Sequence, residues 1–371
     1  MNAWGYAEVL ASSVVEPEMI PRGSYVWGYL PLGTLAQDLE VRLHPDHPDA
    51  QFFVTSKHRE GLMPIYNRYF IVCKPGSGAD LAMKKGIEAK TPELGFDVLV
   101  RVMHTTAFLL SGFVFSPDTT RVIDGSIGPD DETSPTLGAP DAWSAAAEAD
   151  LTDATLLFFA PGSKVAVIFA SLLRARRKNG RGGRPRTLIG VSSESSKAFT
   201  EGTGVYHSVV TTSADPGATL QASGHEAAQR VVIFDFGGRA GAGLRWAGAL
   251  STNNNDASSS PKETNTNPLY VGVGFEIYKP SDAEAILAAA PPPLPFKVVR
   301  LNADDMRRRA IKKVGEKTYF AEEAESWDRF QKEGIKGLTI TWGEGMDDLA
   351  KGWDILAKGE VLPSEGLAYK L

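Results

Sequence analysis

Apolar and polar positions alternate in one way up to about residue 150 and in another way beyond it. Between residues 4 and 43 two apolar, β-prone runs, "WGYAEVLASSVV" and "SYVWGYLPLG", are separated by the turn-forming "EPEMIPRG". Residues 44–95 read as mostly loop, with "LMPIYNRYFIV" as one aromatic island. Residues 96–116, "FDVLVRVMHTTAFLLSGFVFS", are long and apolar enough for a buried helix. The acidic stretch after them, "PDTTRVIDGSIGPDDETSPTLGAPD", reads as a surface insertion or domain link.

From residue 151 the pattern becomes strand, helix, strand. "DATLLFFA" is a continuous apolar run, "SKVAVIFASLLRARRK" has helical spacing, and "GRGGRPR" is a basic turn. "TLIGVS" is a second apolar run, and "SKAFTEGTG" a short helix closed by Gly204. "HSVVTT", "RVVIFDFGG" and "PLYVGVGF" follow as further strands, with helix-like segments between several of them. Strands that are apolar on both faces and alternate with helices predict a parallel sheet covered on both sides. "STNNNDASSSPKETNTNP" is a polar loop; helices are expected near 303–315 and 320–333. The chain closes with the strand "KGLTITW", the helix "DDLAKGWDILAKG" and the tail "VLPSEGLAYKL".

Composition narrows the classes. At 371 residues the chain is long enough for two domains, and 43% apolar with 23% charged residues is ordinary for a globular protein. A net charge of −6 gives no basic field to attract nucleic acid. No apolar run approaches the roughly 18 residues of a membrane span, and no charged-then-apolar leader opens the sequence, so a cytoplasmic protein is expected. Cys73 is the only cysteine, which excludes an intrachain disulfide and any zinc site built from several thiolates. Among the six histidines, His44 and His47 lie in "HPDHPD", which reads as a surface turn, and two ligands do not complete a metal site.

The stretch "LLFFAPGSKVAVIFASLLR" is a strand, a short loop and a helix, the arrangement that holds a phosphate on helix N–H groups. Where a dinucleotide loop has Gly-x-Gly-x-x-Gly, this chain has Ala160-Pro161-Gly162-Ser163-Lys164-Val165. Gly162 remains, Ser163 offers a hydroxyl and Lys164 a charge; the same residues also make an ordinary strand-helix turn with a solvated lysine. A P-loop is excluded because its first glycine and its spacing are absent. After the second strand, Ser192, Ser193, Ser195 and Lys197 offer hydroxyls and a cation suited to a 2′-phosphate, and so favour NADP over NAD. Glu194 would suit a ribose hydroxyl instead, and Ser192 and Ser193 would equally well cap a helix. Asp235, Gly237 and Gly238 follow one buried strand and Gly272, Val273 and Gly274 end another, where ligands of parallel sheets bind.

The order of "WGYAEVLAS", "VWGYLPLGTLAQDLEV", "VLVRVMHTTAFLL", the loop at 160–165, "TLIGVSSESSKAFTEGTGVYHSVVT", "VVIFDFGG" and "LYVGVG" resembles the medium-chain dehydrogenase/reductase superfamily. Within it the chain is most similar to the DUF2855 family, through Tyr66-Asn67-Arg68-Tyr69, Thr105-Thr106 and Ser163-Lys164. The resemblance implies an α/β protein with a GroES-like catalytic domain at 1–118, an insertion at 119–150, a Rossmann domain at 151–334 and a return to the catalytic domain at 335–371. It also implies that early GroES-like strands are missing before residue 1. Without zinc, Tyr66, Asn67, Tyr69 and Thr106 are the candidate catalytic donors, and Arg68 a candidate anion clamp. Thr105 and Thr106 would lie under a nicotinamide. Gly162, Ser163, Lys164, Val165, Ser192, Ser193, Ser195, Lys197, Asp235, Gly237, Gly272, Val273 and Gly274 would line the cofactor. Packed aromatics at 65–70 and helix hydroxyls bonded to the previous turn would explain the same residues structurally. His104 reads as a packed histidine.

The function expected from these features is a zinc-independent, NADPH-dependent oxidoreductase acting on a carbonyl or activated alkene of a small organic substrate. A non-redox isomerase or lyase on the same scaffold, or a nucleotide-binding protein without catalysis, are the alternatives. A homodimer is expected through the strand edge formed by "LYVGVGFEIY" and "PFKVVRL".

Overall fold

The computed structural model describes residues 2–14, 18–123, 144–176, 183–226, 229–237, 241–251, 267–274 and 294–371. The sequence readings at Gly238, at 124–143, at 177–182, at 252–266 and at 275–278 lie outside the described residues. The chain divides into two units, Met1–Val102 with Leu338–Leu371, and Met103–Gly337. The division falls inside the long apolar helix and just after Gly337, where the sequence reading set it at 118 and 334.

The first unit contains β1 (Asn2–Glu8), β2 (Tyr25–Pro31), β3 (Val41–Leu43), β4 (Gln51–Val54) and β5 (Arg68–Cys73). These form one sheet in the order β1-β2-β5-β4-β3, with every neighbouring pair antiparallel. Period-two alternation gives the sheet two distinct faces. Val26, Phe52, Val54 and Tyr69 form the apolar core on one of them. Register places Trp4 opposite Tyr29 and Tyr6 opposite Trp27 on the other. Tyr6 donates its hydroxyl to Asp97, and burial with the nearby carboxylate pushes its pKa far up.

Residues 44–95, read from sequence as mostly loop, contain β4 and the helix α1 (Ala79–Ala89). The helix escaped notice because its "AMKKG" core carries little apolar periodicity; Gly78, at φ 80°, enters it and Lys90, at φ 51°, closes it. "IYNRYF" is not one strand, since Pro64–Asn67 form a 3₁₀ turn before β5 begins at Arg68. His44 is buried, contrary to the surface-turn reading, because its Nδ1 accepts from the N–H groups of Asp46 and His47 and so builds the turn itself.

The helix expected over 96–116 is α2 (Pro92–Leu109), extended by a π-turn over Leu110–Val114. Its 23 residues are long and apolar enough to cross a membrane by length and composition, yet more than half of that stretch is buried within the protein. Its Asp97, His104 and Thr105 are buried with protein partners, as in a core helix.

In the second unit α3 (Ala145–Glu148) precedes β6 (Thr155–Phe159), α4 (Lys164–Arg174), β7 (Thr187–Ser192), α5 (Glu194–Thr203), β8 (Ser208–Thr211) and α6 (Pro216–Ala222). Then come β9 (Val231–Phe236), α7 (Ala242–Ser251), β10 (Leu269–Gly274), β11 (Lys297–Arg300), α8 (Ala303–Val314) and α9 (Glu316–Glu333). The sheet order is β11-β10-β9-β6-β7-β8, and all five pairings are parallel. Numbered within this unit that order is 6-5-4-1-2-3, the doubly wound Rossmann order read from its other edge. β6 is buried at all five residues, which explains why "TLLFF" shows no alternation. Leu157, Ile189, Ile233 and Trp246 form the core on one side of the sheet; Phe158, Phe169 and Phe234 pack together on the other. The expected dimer edge corresponds to β11, a four-residue edge strand.

The first unit is completed by β12 (Thr339–Glu344), α10 (Gly345–Lys358) and β13 (Glu365–Lys370), in which β12 and β13 pair in parallel. Glycines let these pieces close in. An added Cβ at Gly95 would stand 2.6 Å from Ile340, and one at Gly352 would overlap the Tyr369 hydroxyl.

Candidate functional site

The Rossmann order reverses at β6, whose neighbours β7 and β9 lead to opposite halves of the sheet, and ligands of such sheets bind at the carboxyl ends there. The loop leaving β6 is Ala160–Ser163. Ala160 has φ 51°, a left-handed conformation that an L-residue adopts at a cost of about 1–2 kcal/mol. It occupies the place of the first glycine of the usual loop and makes the same tight turn. Ser163 N–H donates to the Ala160 carbonyl at 3.0 Å and closes that turn.

Pro161 is held twice. Its carbonyl accepts from the Tyr206 hydroxyl at 2.8 Å, and its ring lies where a Cβ on Gly190 would approach to 3.2 Å. Tyr206 is buried and its pKa is pushed well up by desolvation, so it acts as a neutral donor. Gly162 is needed for a different reason from the one its place in the motif suggests. An added Cβ would meet Thr200 Oγ1 at 3.2 Å and Phe199 Cδ1 at 3.4 Å, so the glycine allows the loop to pack on α5.

Ser163 caps α4: its Oγ accepts from Ala166 N–H at 3.3 Å, and its carbonyl from Val167 N–H at 3.0 Å. The hydroxyl proton of Ser163 stays available to an acceptor. The N–H groups of Lys164 and Val165 have no acceptor among the described residues, as expected in a first helical turn. Lys164 is mostly buried, and burial alone holds its ammonium below the usual lysine range. Among the described residues no carboxylate or other acceptor faces it. A desolvated cation, two unused N–H groups and the positive end of a helix dipole together form an anion-binding arrangement.

At the end of β7 the serines divide. Ser192 is buried with its Oγ 3.5 Å from Thr200 Oγ1, which turns it into the fold and away from any ligand. Ser193, Ser195 and Ser196 form a hydroxyl cluster at the start of α5, with Ser193 Oγ 3.2 Å from Ser195 Oγ and 3.1 Å from Ser196 Oγ. Ser193 makes no side-chain cap, so these hydroxyls are not spent on the helix backbone. Lys197 sits one turn along and pairs loosely with Glu201 at 3.8 Å.

Beyond β9, Asp235 is buried and serves the scaffold: its carboxylate accepts from Gly237 N–H at 2.9 Å and from the Tyr270 hydroxyl at 2.6 Å. It therefore shapes the turn instead of reaching a ligand. Gly237 needs its glycine, with φ at 103°. Gly272, Val273 and Gly274 lie at a register shift where β10 leaves β9, so the backbone at that carboxyl end is locally irregular.

The threonine pair on α2 also separates. Thr105 is buried and donates to Glu323 Oε1 at 2.5 Å, which fixes α2 against α9. Thr106, half-buried, has a hydroxyl with no partner among the described residues. His104 is packed as expected, against Trp327 and Phe330, with Nε2 3.0 Å from Ser326 Oγ.

In the first unit two of the candidate catalytic groups prove structural. Tyr69 is fully buried, donates to the Tyr29 carbonyl at 2.5 Å, and has its pKa pushed up to about 12 by burial. Asn67 spends both ends of its amide on Arg59, accepting from Nε at 2.9 Å and donating to the Arg59 carbonyl at 3.0 Å. Arg68 is buried with Nε bonded to Gln51 Oε1 at 2.7 Å, so it clamps the sheet and no anion. Tyr66 is half-buried, its ring 4.5 Å from that of Tyr29 and 5.9 Å from that of Trp4.

The structure adds Tyr206 and Thr200, and it gives a role to Ala160, which the motif did not single out. Ala160 carried a signal, since it stands where a glycine is usual. Tyr206 carried none, because a tyrosine 45 residues along the chain reveals nothing of the carbonyl it will reach.

Fold and loop together define an α/β protein with a doubly wound domain whose first strand-helix loop presents a mostly buried lysine beside unused helix N–H groups. The chain belongs to the family described as "Protein of unknown function (DUF2855)", whose model matches residues 1–362. No curated protein matches it. Among solved structures it is similar to a mycobacterial quinone oxidoreductase, at 18% identity and a TM-score of 0.33, over 56% of this chain and 54% of that one. It thus spans about half the length of that structure. CurA of Vibrio vulnificus in complex with NADPH is similar at 11% identity and a TM-score of 0.40, over 100% and 88% of the two chains. A mycobacterial protein complexed with NADPH is similar at 13% identity and a TM-score of 0.42, over 98% and 91%.

Proposed function

We propose that the second unit binds NADPH and that the protein is a cytoplasmic, zinc-independent oxidoreductase of the medium-chain dehydrogenase/reductase type. The observation that carries the reading is Lys164: a mostly buried cation with no partner among the described residues, at the first turn of the helix that follows the central Rossmann strand. A pyrophosphate would complete it, accepting from Lys164 Nζ, the N–H groups of Lys164 and Val165, and the Ser163 hydroxyl. Ser193, Ser195 and Lys197 would receive the ribose 2′-phosphate, with Ser196 as a further donor. Glu194 and Glu201 are acids beside them; Glu201 pairs loosely with Lys197, and Glu194 would disfavour that phosphate if turned towards it. Gly162 sets the loop, while Gly237, Gly272, Val273 and Gly274 offer backbone without bulk at the neighbouring strand ends.

When bound, the nicotinamide supplies a hydride donor. The chain's own part is to orient the ring, to supply a proton, and to stabilise charge developing on an oxygen of the substrate. Thr106 is the hydroxyl left for the first task and Tyr66 the hydroxyl proposed for the second and third. Small organic carbonyls or activated alkenes are the substrate class. The ligand class is the one present in the CurA structure and in the NADPH-bound mycobacterial structure.

The test is direct: titrate NADPH and NADH into the protein and follow nicotinamide fluorescence and heat. NADPH should bind at micromolar concentration or tighter, and NADH more weakly. Absence of binding by both nucleotides refutes the reading; tighter binding of NADH refutes the assignment of the serine cluster.

A further inference from the structure

Arg59 is 2% exposed, and no carboxylate pairs with it among the described residues. A guanidinium is costly to take out of water, so a core position that keeps one uses its hydrogen bonds. Those bonds go to three oxygens around Tyr66. Nη2 donates to the Tyr66 carbonyl at 2.8 Å and to the Tyr29 carbonyl at 3.0 Å, and Nε donates to Asn67 Oδ1 at 2.9 Å. Asn67 returns a bond from Nδ2 to the Arg59 carbonyl at 3.0 Å.

The backbone at Tyr66 has little else to hold it. Tyr66 lies in the 3₁₀ turn Pro64–Asn67, whose cap residue Met63 contributes no side-chain bond. Tyr66 N–H donates to the Met63 carbonyl at 2.9 Å, but a single turn of this kind has poor hydrogen-bond geometry. The sheet does not reach it either, since β2 pairs with β5 only over Tyr25–Trp27 and Tyr29 lies beyond that ladder. One nitrogen of Arg59 thus bridges two backbones that the ladder leaves unjoined. They belong to the two residues whose rings meet at 4.5 Å. On a fixed backbone the staggered rotamers leave the Tyr66 ring few directions, and Tyr29 and Trp4 select among them. Tyr69 backs the clamp from behind: its ring lies 5.8 Å from Arg59 Cζ, and its hydroxyl donates to the same Tyr29 carbonyl.

We propose that Arg59 is a positioning residue, which touches no substrate and sets the direction in which Tyr66 presents its hydroxyl. This rests on the reading of Tyr66 as the proton donor. The planar fork is what matters and not the charge, because a lysine ammonium cannot hold two carbonyls and an amide in one fixed geometry. Arg59→Lys should therefore fail although the charge is kept.

The experiment places 3-fluorotyrosine at position 66 of the full chain and records its fluorine resonance without cofactor or substrate. With Arg59 present the line should be single and narrow. In Arg59→Lys and Arg59→Met, folded by circular dichroism, it should shift and broaden or split. Asn67→Ser, which loosens only one arm of the clamp, should give a milder form of the same change if the other two variants do not fold. Ile20→Ala opens a cavity in the core of the same unit without removing a bond from the clamp. It should lower the urea midpoint and leave the line single. An unshifted narrow line in folded Arg59→Lys overturns the proposal, and so does equal broadening in Ile20→Ala, which would make the effect one of stability alone. In turnover of NADPH with trans-2-hexenal as probe, Arg59→Lys should lower kcat tenfold or more with KM for NADPH unchanged. It should lower kcat no further in a Tyr66→Phe background, and losses that multiply overturn the proposal. The fluorine line needs no nucleotide, so it decides the role of Arg59 even where absence of NADPH binding refutes the proposed function.

Discussion

Replacing Lys164 by methionine should separate cofactor binding from stability, and in opposite directions. In the free protein the ammonium is mostly buried and faces no acceptor among the described residues, so its pKa lies below that of the unfolded chain. The sign follows from linkage. A lysine whose folded pKa is depressed weakens folding at every pH below that pKa, and the penalty disappears as pH rises past the unfolded value. At neutral pH the penalty is fully present, and methionine, of similar length and without charge, removes it. Lys164→Met should therefore unfold at the same urea concentration as the wild type or a higher one. NADPH binding should move the other way, because a charge-assisted contact to phosphate contributes about 1.5–3 kcal/mol, a roughly tenfold to hundredfold loss of affinity. Calorimetric titration and urea unfolding on the same preparation give both numbers. A phosphate also raises the Lys164 pKa, so wild-type affinity should fall as pH climbs through the depressed range, with proton uptake on binding. Unchanged NADPH affinity in a folded Lys164→Met protein would refute the phosphate assignment, and a clear loss of stability would refute the claim that the cation has no partner.

Ala160→Gly should stabilise the protein by about 0.5–1 kcal/mol in urea unfolding, since relief of the left-handed alanine, about 1–2 kcal/mol, exceeds the added freedom of the unfolded chain; a loss would mean that Ala160 is not held at φ 51°. Tyr206→Phe should cost about 1–3 kcal/mol by leaving the Pro161 carbonyl unpaired, and should weaken NADPH while Lys164 is intact; full affinity would show that the loop needs no brace. Gly28→Ala should cost about 1–3 kcal/mol, because its Cβ would lie 2.5 Å from the ring of the fully buried Tyr69; wild-type stability would show that the sheet opens there with ease. Above pH 10 the unfolded chain loses the Tyr69 proton while the folded chain keeps it up to about pH 12. Stability should therefore fall across that window, by up to about 1.4 kcal/mol per pH unit from this residue, and Tyr69→Phe should flatten the slope.

The parallel sheet was legible because burial on both faces leaves unbroken apolar runs. "TLLFF" and "TLIGVS" show their strands directly, and the expected strand over 187–192 is β7 to the residue. The first unit was less open to reading. In α1 the run "AMKKGIEA" has too few apolar residues for a period to show, and "IYNRYF" hides a 3₁₀ turn behind a strand-like composition. Side-chain roles were legible only where local geometry decides them. Ser163 as a helix cap follows from position alone, as does the left-handed Gly204 that ends α5. Tyr69, Asn67, Thr105, Ser192 and Asp235 all looked available because their partners lie far away in sequence or across strands. Tyr69 is bonded 40 residues away, Thr105 218 residues away, and Asp235 to Tyr270, 35 residues on. A hydroxyl or carboxylate in a promising place is often already committed, and only tertiary structure reveals to what.

The loss of glycines from the loop after β6 has a physical resolution in this fold. The first glycine's task is a left-handed turn, and Ala160 performs it with strain that the surrounding bonds must hold. Those bonds are present: Ser163 N–H to the Ala160 carbonyl, and the buried Tyr206 hydroxyl to the Pro161 carbonyl. Pro161 fixes its own φ, which narrows the loop's alternatives in the unfolded and folded chain alike. The second glycine survives, and its bare face is used for packing on Phe199 and Thr200. The third is Val165, half-buried at the start of α4. What the chain gives up in close backbone approach it can regain only with side chains, and the two at hand are Ser163 and Lys164, whose hydroxyl proton and ammonium meet no acceptor among the described residues. That combination makes affinity in this loop depend on charge to a degree that a glycine-rich loop avoids. NADPH binding should accordingly weaken steeply with added salt in the wild type and only slightly in Lys164→Met, and equal salt slopes in the two proteins would show that backbone N–H groups alone hold the phosphates.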